Sequence, residues 1–141
     1  MTLERWRRLL PGLWAGWLLC VALLATPAPF ATLAAADAGR VAGRMLAQEA
    51  YTSLALALIL LFVERAAERR AGARAFGLNF GLVLAALFCT VAGYFGVQPL
   101  MAAARAGQGP FGFAALHAAS VAFFGVKGLL VLWLAWRVAA R

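Results

Sequence analysis

Acid is scarce in this chain: Glu4, Asp37, Glu49, Glu64 and Glu68 are its only carboxylate side chains among 141 residues. Histidine occurs once, at position 117, and lysine once, at position 127. A single histidine excludes a haem held by histidine on both faces within one monomer, and any multi-histidine metal centre. Cys20 and Cys89 are isolated and lack the CxxC spacing of a membrane thiol oxidoreductase, so both read as small packing residues. The soft-metal ligand types Met45, Cys89, Met101 and His117 are too scattered to define a metal site. Nucleotide-binding motifs are missing, and no nucleophile, base and electrophile can be placed together. A non-enzymatic protein without a cofactor is the expectation. A four-span exporter of the small multidrug-resistance type would need a carboxylate inside its first span, and Glu4 lies outside it.

Apolar residues make up 65% of the chain and the mean hydropathy is +0.87, well beyond the roughly half-apolar composition of soluble domains. Four apolar stretches stand out, at Leu13–Phe30, Met45–Val63, Leu78–Gln98 and Phe113–Trp136. Each is close to the ~20 residues needed to cross a hydrocarbon core. The fold class expected is therefore all-α: an integral membrane four-helix transmembrane bundle, with residues 1–141 forming a single four-span domain.

The basic residues are sorted along this pattern. Arg5, Arg7 and Arg8 precede the first span, Arg65, Arg69, Arg70 and Arg74 lie between the second and third, and Arg137 and Arg141 follow the fourth. The other side holds only Arg40, Arg44 and Arg105. The positive-inside rule then puts both termini in the cytoplasm. A net charge of +8 arranged around apolar spans is a topology signal, so no nucleic-acid partner is expected; the basic flanks would instead meet anionic lipid headgroups. Arginine-for-lysine bias with abundant alanine suggests a GC-rich bacterial genome, and hence a multi-pass protein of the bacterial inner membrane. The basic start, apolar run and small residues Ala25–Ala28 also describe a signal peptide. The run is long and interrupted by Trp14 and Trp17, so it is expected to stay uncleaved.

Pro27 and Pro29 should end or kink the first helix. Asp37 is a candidate N-cap for a helix that carries Arg40 and Arg44 and runs into span two. Glu64 to Arg74 alternates acids and bases and reads as a solvated helix end, stopped by Gly72. Pro99, Gly107, Gly109 and Pro110 mark a loop after span three. Within that span Gly77, Gly81, Ala85, Cys89 and Gly93 recur every four residues, a small-residue ridge suited to close helix packing. Gly12, Gly16 and Cys20 form a shorter ridge in span one. The two ridges can meet within one chain or across a homodimer, and contact within the chain is the expectation.

Polar residues inside the spans are the candidates for function. Lys127 lies roughly 14 Å from the inner end of span four at 1.5 Å per residue, an expensive position for a charge. No carboxylate is predicted at its depth. His117, Ser120 and Lys127 fall within roughly 80° of helix circumference. Near the outer surface His117 should meet Glu49 of span two and Tyr94 and Gln98 of span three. That cluster reads either as a hydrogen-bonded fastening between helices or as a ligand site, and fastening is the commoner use of such contacts.

With the spans placed, the chain resembles the bacterial four-span family catalogued as domain of unknown function 4149, related to human transmembrane protein 205. The resemblance covers nearly the whole chain. It rests on the Trp14 to Trp17 region, Pro27 to Phe30, Ala38 to Leu46 (AGRVAGRML), Gln98 with Pro99, and Phe113 to Ser120, which contains LHAAS. The His and Ser of that last motif map to His117 and Ser120. Eukaryotic relatives are similar to an H-x-x-S pattern followed by a later Asn; Phe124 stands there in this chain, so a role of that Asn does not transfer. The resemblance implies fold and membrane location rather than an activity. The function expected is that of an accessory or structural membrane protein whose His117 face organises helix packing or a partner. The competing class is a small transporter or ligand-binding protein for a metal or cationic compound, using Glu49, Tyr94, Gln98, His117, Ser120 and Lys127. A water-filled cavity at Lys127 favours transport, and a dry interior favours the structural role.

Overall fold

The computed structural model describes residues 2–72 and 76–140, so Arg74 and Arg141 of the arginine pattern lie outside the described residues. Every regular element among them is helical: α1 (Thr2–Cys20), α2 (Ala28–Thr32), α3 (Ala35–Arg70), α4 (Leu78–Thr90), α5 (Val97–Arg105) and α6 (Phe113–Ala139). α1 leads to α2 through a wide π turn, Val21–Ala25, and α4 leads to α5 through another, Val91–Gly96. The result is four rods long and apolar enough to cross a membrane: Leu3–Thr32, Ala35–Arg70, Leu78–Arg105 and Phe113–Ala139. The chain is a four-helix, multi-pass membrane protein.

The π turns have a local cause. Thr26 N–H bonds back five residues to the Val21 carbonyl at 2.9 Å, just before Pro27. The second wide turn ends three residues before Pro99. A proline ring clashes with the carbonyl four residues behind it and offers no N–H, so the preceding turn widens. Pro99 does not end the third rod: α5 carries it and continues to Arg105, stopping where Gly107 and Gly109 take positive φ values of 70° and 93°. Pro11 is likewise inside α1, as transmembrane helices tolerate.

Rod two also starts earlier than its apolar run. Ala34 occupies the N-cap without a side-chain cap bond, and Asp37 sits inside the first turn, paired with Arg40 at 2.5 Å. Asp37 is thus not the cap; its carboxylate complements the helix N-terminus from within. At the far end Gly72, with φ 73°, stops α3 by bonding its N–H to the Arg69 carbonyl at 3.1 Å.

The rods form a ring in which each touches two antiparallel neighbours. α1 packs on α3 and α6, and α4 packs on the same two, while α1 and α4 face each other across one diagonal and α3 and α6 across the other. The small-residue ridges of α1 and α4 therefore do not meet within the chain. An up-down-up-down ring necessarily places parallel helices on its diagonals. Gly12, Gly16 and Gly81 would each accept a Cβ with nothing within 4 Å, whereas one on Gly93 would lie 2.5 Å from Phe123 Cβ of α6.

Two apolar clusters fill the ring. The larger, toward the end where both termini lie, includes Leu10, Trp14, Leu18, Leu60, Val83, Val131 and Leu134; the smaller, toward the opposite end, joins Val97, Met101 and Leu116. Between them lies a polar layer.

Candidate functional site

Glu49 and Lys127 supply the charges of that layer. Each lies fourteen residues in from the start of its helix, α3 and α6, which begin at the same end of the bundle. Equal register brings them level. The Lys127 ammonium donates to Glu49 Oε1 at 2.7 Å and Oε2 at 2.9 Å, spanning the α3/α6 diagonal through the middle of the ring. Glu49 is 2% exposed and Lys127 3%. A carboxylate thus does stand at the depth of Lys127. Counted from the apolar run at Met45, Glu49 falls too near the surface; α3 begins at Ala35, ten residues earlier, and carries it to the depth of Lys127.

The pair extends into a chain of hydrogen bonds. Ser53, one turn along α3, donates through its hydroxyl to Glu49 Oε1, and Trp14 of α1 donates its indole N–H to Ser53 Oγ at 2.8 Å. Trp14 and Ser53 are fully buried. Neither stands out as polar machinery in the sequence; the signal there is Ser53 four residues from an intramembrane glutamate, on the same helical face. α1, α3 and α6 are joined in this way, and the Lys127 ammonium also sits 4.8 Å above the ring of Phe124.

On the fourth side, the wide turn Val91–Gly96 contributes. Ser120 of α6 donates to the Gly93 carbonyl at 3.2 Å, and Thr90 donates to the Ala86 carbonyl at 3.0 Å. Beside them a cavity of about 30 Å³ is lined by Glu49, Lys127, Thr90, Tyr94, Gln98, Ser120, Cys89 and Phe124, among others. That is room for one or two waters. Of the sequence candidates, Glu49, Tyr94, Gln98, Ser120 and Lys127 come together here.

His117 does not join them. It is exposed and stacks on Phe113 of its own helix, with ring centroids 5.9 Å apart. Ten residues separate it from Lys127, roughly 15 Å along the helix, so the site at Lys127 depth leaves it behind. On that face of α6 the contacts between helices are made by Ser120 and Lys127, and the His117 side chain itself stands apart from them. Among the described residues no three histidine, cysteine, aspartate or glutamate side chains converge on one point.

A second polar belt crosses the end that carries the termini. Arg7 grips Glu64 with two bonds, Nε to Oε1 at 2.9 Å and Nη2 to Oε2 at 2.8 Å, and Glu64 is 0% exposed. Glu68 accepts the Gly77 N–H at 2.6 Å, and Arg137 donates to Asn79 at 3.2 Å. The segment expected to be a solvated helix end is thus buried along Glu64 and Glu68. The acids of α3 face Arg7 of α1 and the start of α4, a tertiary arrangement that alternating charge along one helix does not reveal.

The family model described as Domain of unknown function (DUF4149) matches residues 9–110. That stretch takes in Trp14, Glu49, Ser53 and the wide turn at Gly93. No curated protein and no solved structure matches the chain.

Proposed function

We propose that this chain, which belongs to the DUF4149 family, is a non-enzymatic accessory or structural protein of the bacterial inner membrane, with both termini in the cytoplasm. One observation carries the reading: the Glu49–Lys127 pair spans the centre of the ring and, through Ser53 and Trp14, ties three of its helices at one level. Its task is to fix which helices oppose one another. In lipid there is no hydrophobic drive between helices, so packing and polar contacts must do this. The asymmetric arginines support the orientation.

If the pair is a clamp, Lys127→Met leaves a buried carboxylate without its cation and should destabilise by about 3–5 kcal/mol. Glu49→Gln with Lys127→Met removes both charges and should regain most of that loss. Thermal unfolding of the purified protein in lipid nanodiscs measures this, and single variants as stable as the wild type would remove the clamp.

A second reading, a small transporter or ligand-binding protein, is favoured by the cavity against Lys127 and the irregular turn that lines it. Intramembrane ionisable groups commonly mark ion pathways, and π turns are frequent at functional sites. A volume of about 30 Å³ suits a bare ion and not an organic cation or a metal complex.

A further inference from the structure

The polar groups tied together inside the ring leave a second set on the outer face of α3. Arg44, Gln48, Tyr51 and Thr52 recur there at helical spacing and, with Ala47 and with Trp17 of α1, line an open groove of about 570 Å³. That is within the size range of sites for small organic molecules. Arg44, Gln48, Tyr51, Thr52 and Trp17 are all exposed. Arg44 immediately precedes the apolar run that begins at Met45, which sets its guanidinium at headgroup depth; Gln48, Tyr51 and Thr52 lie roughly 6–12 Å farther in at 1.5 Å per residue. Of the three arginines at that end of the bundle, Arg40 pairs with Asp37 and Arg105 lies over the Phe113 ring. Arg44 has no ion pair among the described residues. Gln48 turns an amide toward hydrocarbon, a costly place for a polar group without a partner. The groove's walls are held in place: the Tyr51 ring meets Phe95 of the wide turn edge-on at 5.4 Å, and the Thr52 hydroxyl donates to the Gln48 carbonyl at 2.8 Å.

We propose that this groove holds one anionic phospholipid, of the phosphatidylglycerol kind, from the leaflet opposite the termini. Arg44 takes the phosphate, because a guanidinium offers a planar fork of N–H donors that matches two phosphate oxygens. Charge complementarity selects the headgroup. A lipid of net charge −1 neutralises Arg44, whereas the ammonium of a zwitterionic headgroup leaves the positive charge uncompensated. Gln48, one turn deeper, stands at the level of the glycerol esters and donates its amide N–H to an ester carbonyl. Trp17 and Tyr51 flank the first part of the acyl chain with flat apolar surface, as aromatic side chains do at membrane interfaces. An apolar helix face by itself accepts any acyl chain. Here one cation, one amide and two rings converge on a single groove, unlike the arginine flanks at the other end, which attract headgroups as a diffuse positive field.

The test offers dioleoylphosphatidylglycerol, dioleoylphosphatidylethanolamine or inorganic phosphate to the full chain in neutral detergent micelles, counting bound lipid by native mass spectrometry and following the thermal unfolding temperature. The wild type should retain one phosphatidylglycerol per chain, about five- to tenfold more tightly than phosphatidylethanolamine, and unfold at a higher temperature with it bound. Inorganic phosphate, which has no acyl chain, should do neither. Arg44→Gln should bring the anionic lipid down to the zwitterionic level while leaving the lipid-free unfolding temperature unchanged, since the side chain is exposed. Trp17→Ala should weaken both lipids. Arg105→Gln removes the same charge from the same end and should bind as the wild type does. Equal retention of the two lipids, or an equal loss in Arg105→Gln, overturns the site in favour of diffuse charge. Stabilisation by inorganic phosphate overturns it in favour of a free anion, and a dimer lost in Arg44→Gln with lipid binding unchanged gives the groove to a second copy of the chain. Should Trp17→Ala not fold, the two arginine variants decide. None of these outcomes bears on the Glu49–Lys127 clamp, whose charges lie inside the ring.

Discussion

Gly93 shows how much one missing methyl group can decide. Its backbone lies where an added Cβ would be 2.5 Å from Phe123 Cβ, and its carbonyl accepts the Ser120 hydroxyl. Gly93→Ala must push α6 away and strain the layer that holds Lys127, at a cost of about 1–3 kcal/mol as for other overpacked sites. Gly81, on the same small-residue ridge, is exposed and a Cβ added there meets nothing within 4 Å, so Gly81→Leu should leave the unfolding temperature of the monomer unchanged. Comparing the two variants by thermal unfolding separates a real contact from a repeated letter. The spacing of the ridge was visible in the sequence; which glycine touches a neighbour depends on how α4 and its wide turn face α3 and α6.

Among the elements, the third rod is the most informative, because a proline sits inside it without ending it. Pro99 withholds an N–H and crowds the carbonyl of Phe95, and the chain answers with the wide turn Val91–Gly96. Pro99→Ala restores a donor at that position. The turn should then tighten toward an ordinary α-helix, the Ser120 bond to Gly93 should be lost, and hydrogen exchange at residues 91–96 should slow. Unchanged exchange would mean that Gly93 and Gly96, rather than the proline, hold the turn open. The same element explains a misplaced boundary: Gln98 and Pro99 look like an end because proline usually ends helices in water, whereas the packed interior of this bundle carries the helix on to Arg105. Rod two errs in the other direction. Its opening turns, with Asp37, Arg40 and Arg44, are too polar to count as a span, yet they are helical from Ala35 and set the depth of Glu49.

For the whole molecule, the five acids tell how the ring is closed. Each has a basic partner among the described residues, and Glu49, Glu64 and Glu68 are buried. The Arg7–Glu64 pair joins α1 to α3 near the termini, a full bundle half away from Glu49–Lys127. Arg7→Ala strands a fully buried carboxylate and should cost about 3–5 kcal/mol; Arg7→Met with Glu64→Gln should recover most of it, and thermal unfolding reads both. The orientation has its own check. A reporter active only in the cytoplasm should work when fused at either terminus, and a cysteine-reactive, membrane-impermeant dye should label Arg105→Cys from outside intact cells. Labelling from the cytoplasmic side alone would reverse the orientation.

The four rods, their number and their apolar character followed from the sequence by itself, because crossing hydrocarbon demands long runs of apolar side chains whatever their neighbours. The sorting of arginines to two sides is equally a property of the linear order. The choice of which helices touch belonged to the tertiary structure, since ring order depends on packing between surfaces that look alike in sequence. It set α1 opposite α4, turned His117 outward, drew Glu64 and Glu68 inside, and brought Lys127 level with Glu49 across the diagonal. Depth in a membrane is counted from where a helix begins, and in this chain the nearly three turns from Ala35 to Arg44 before the apolar run moved that origin.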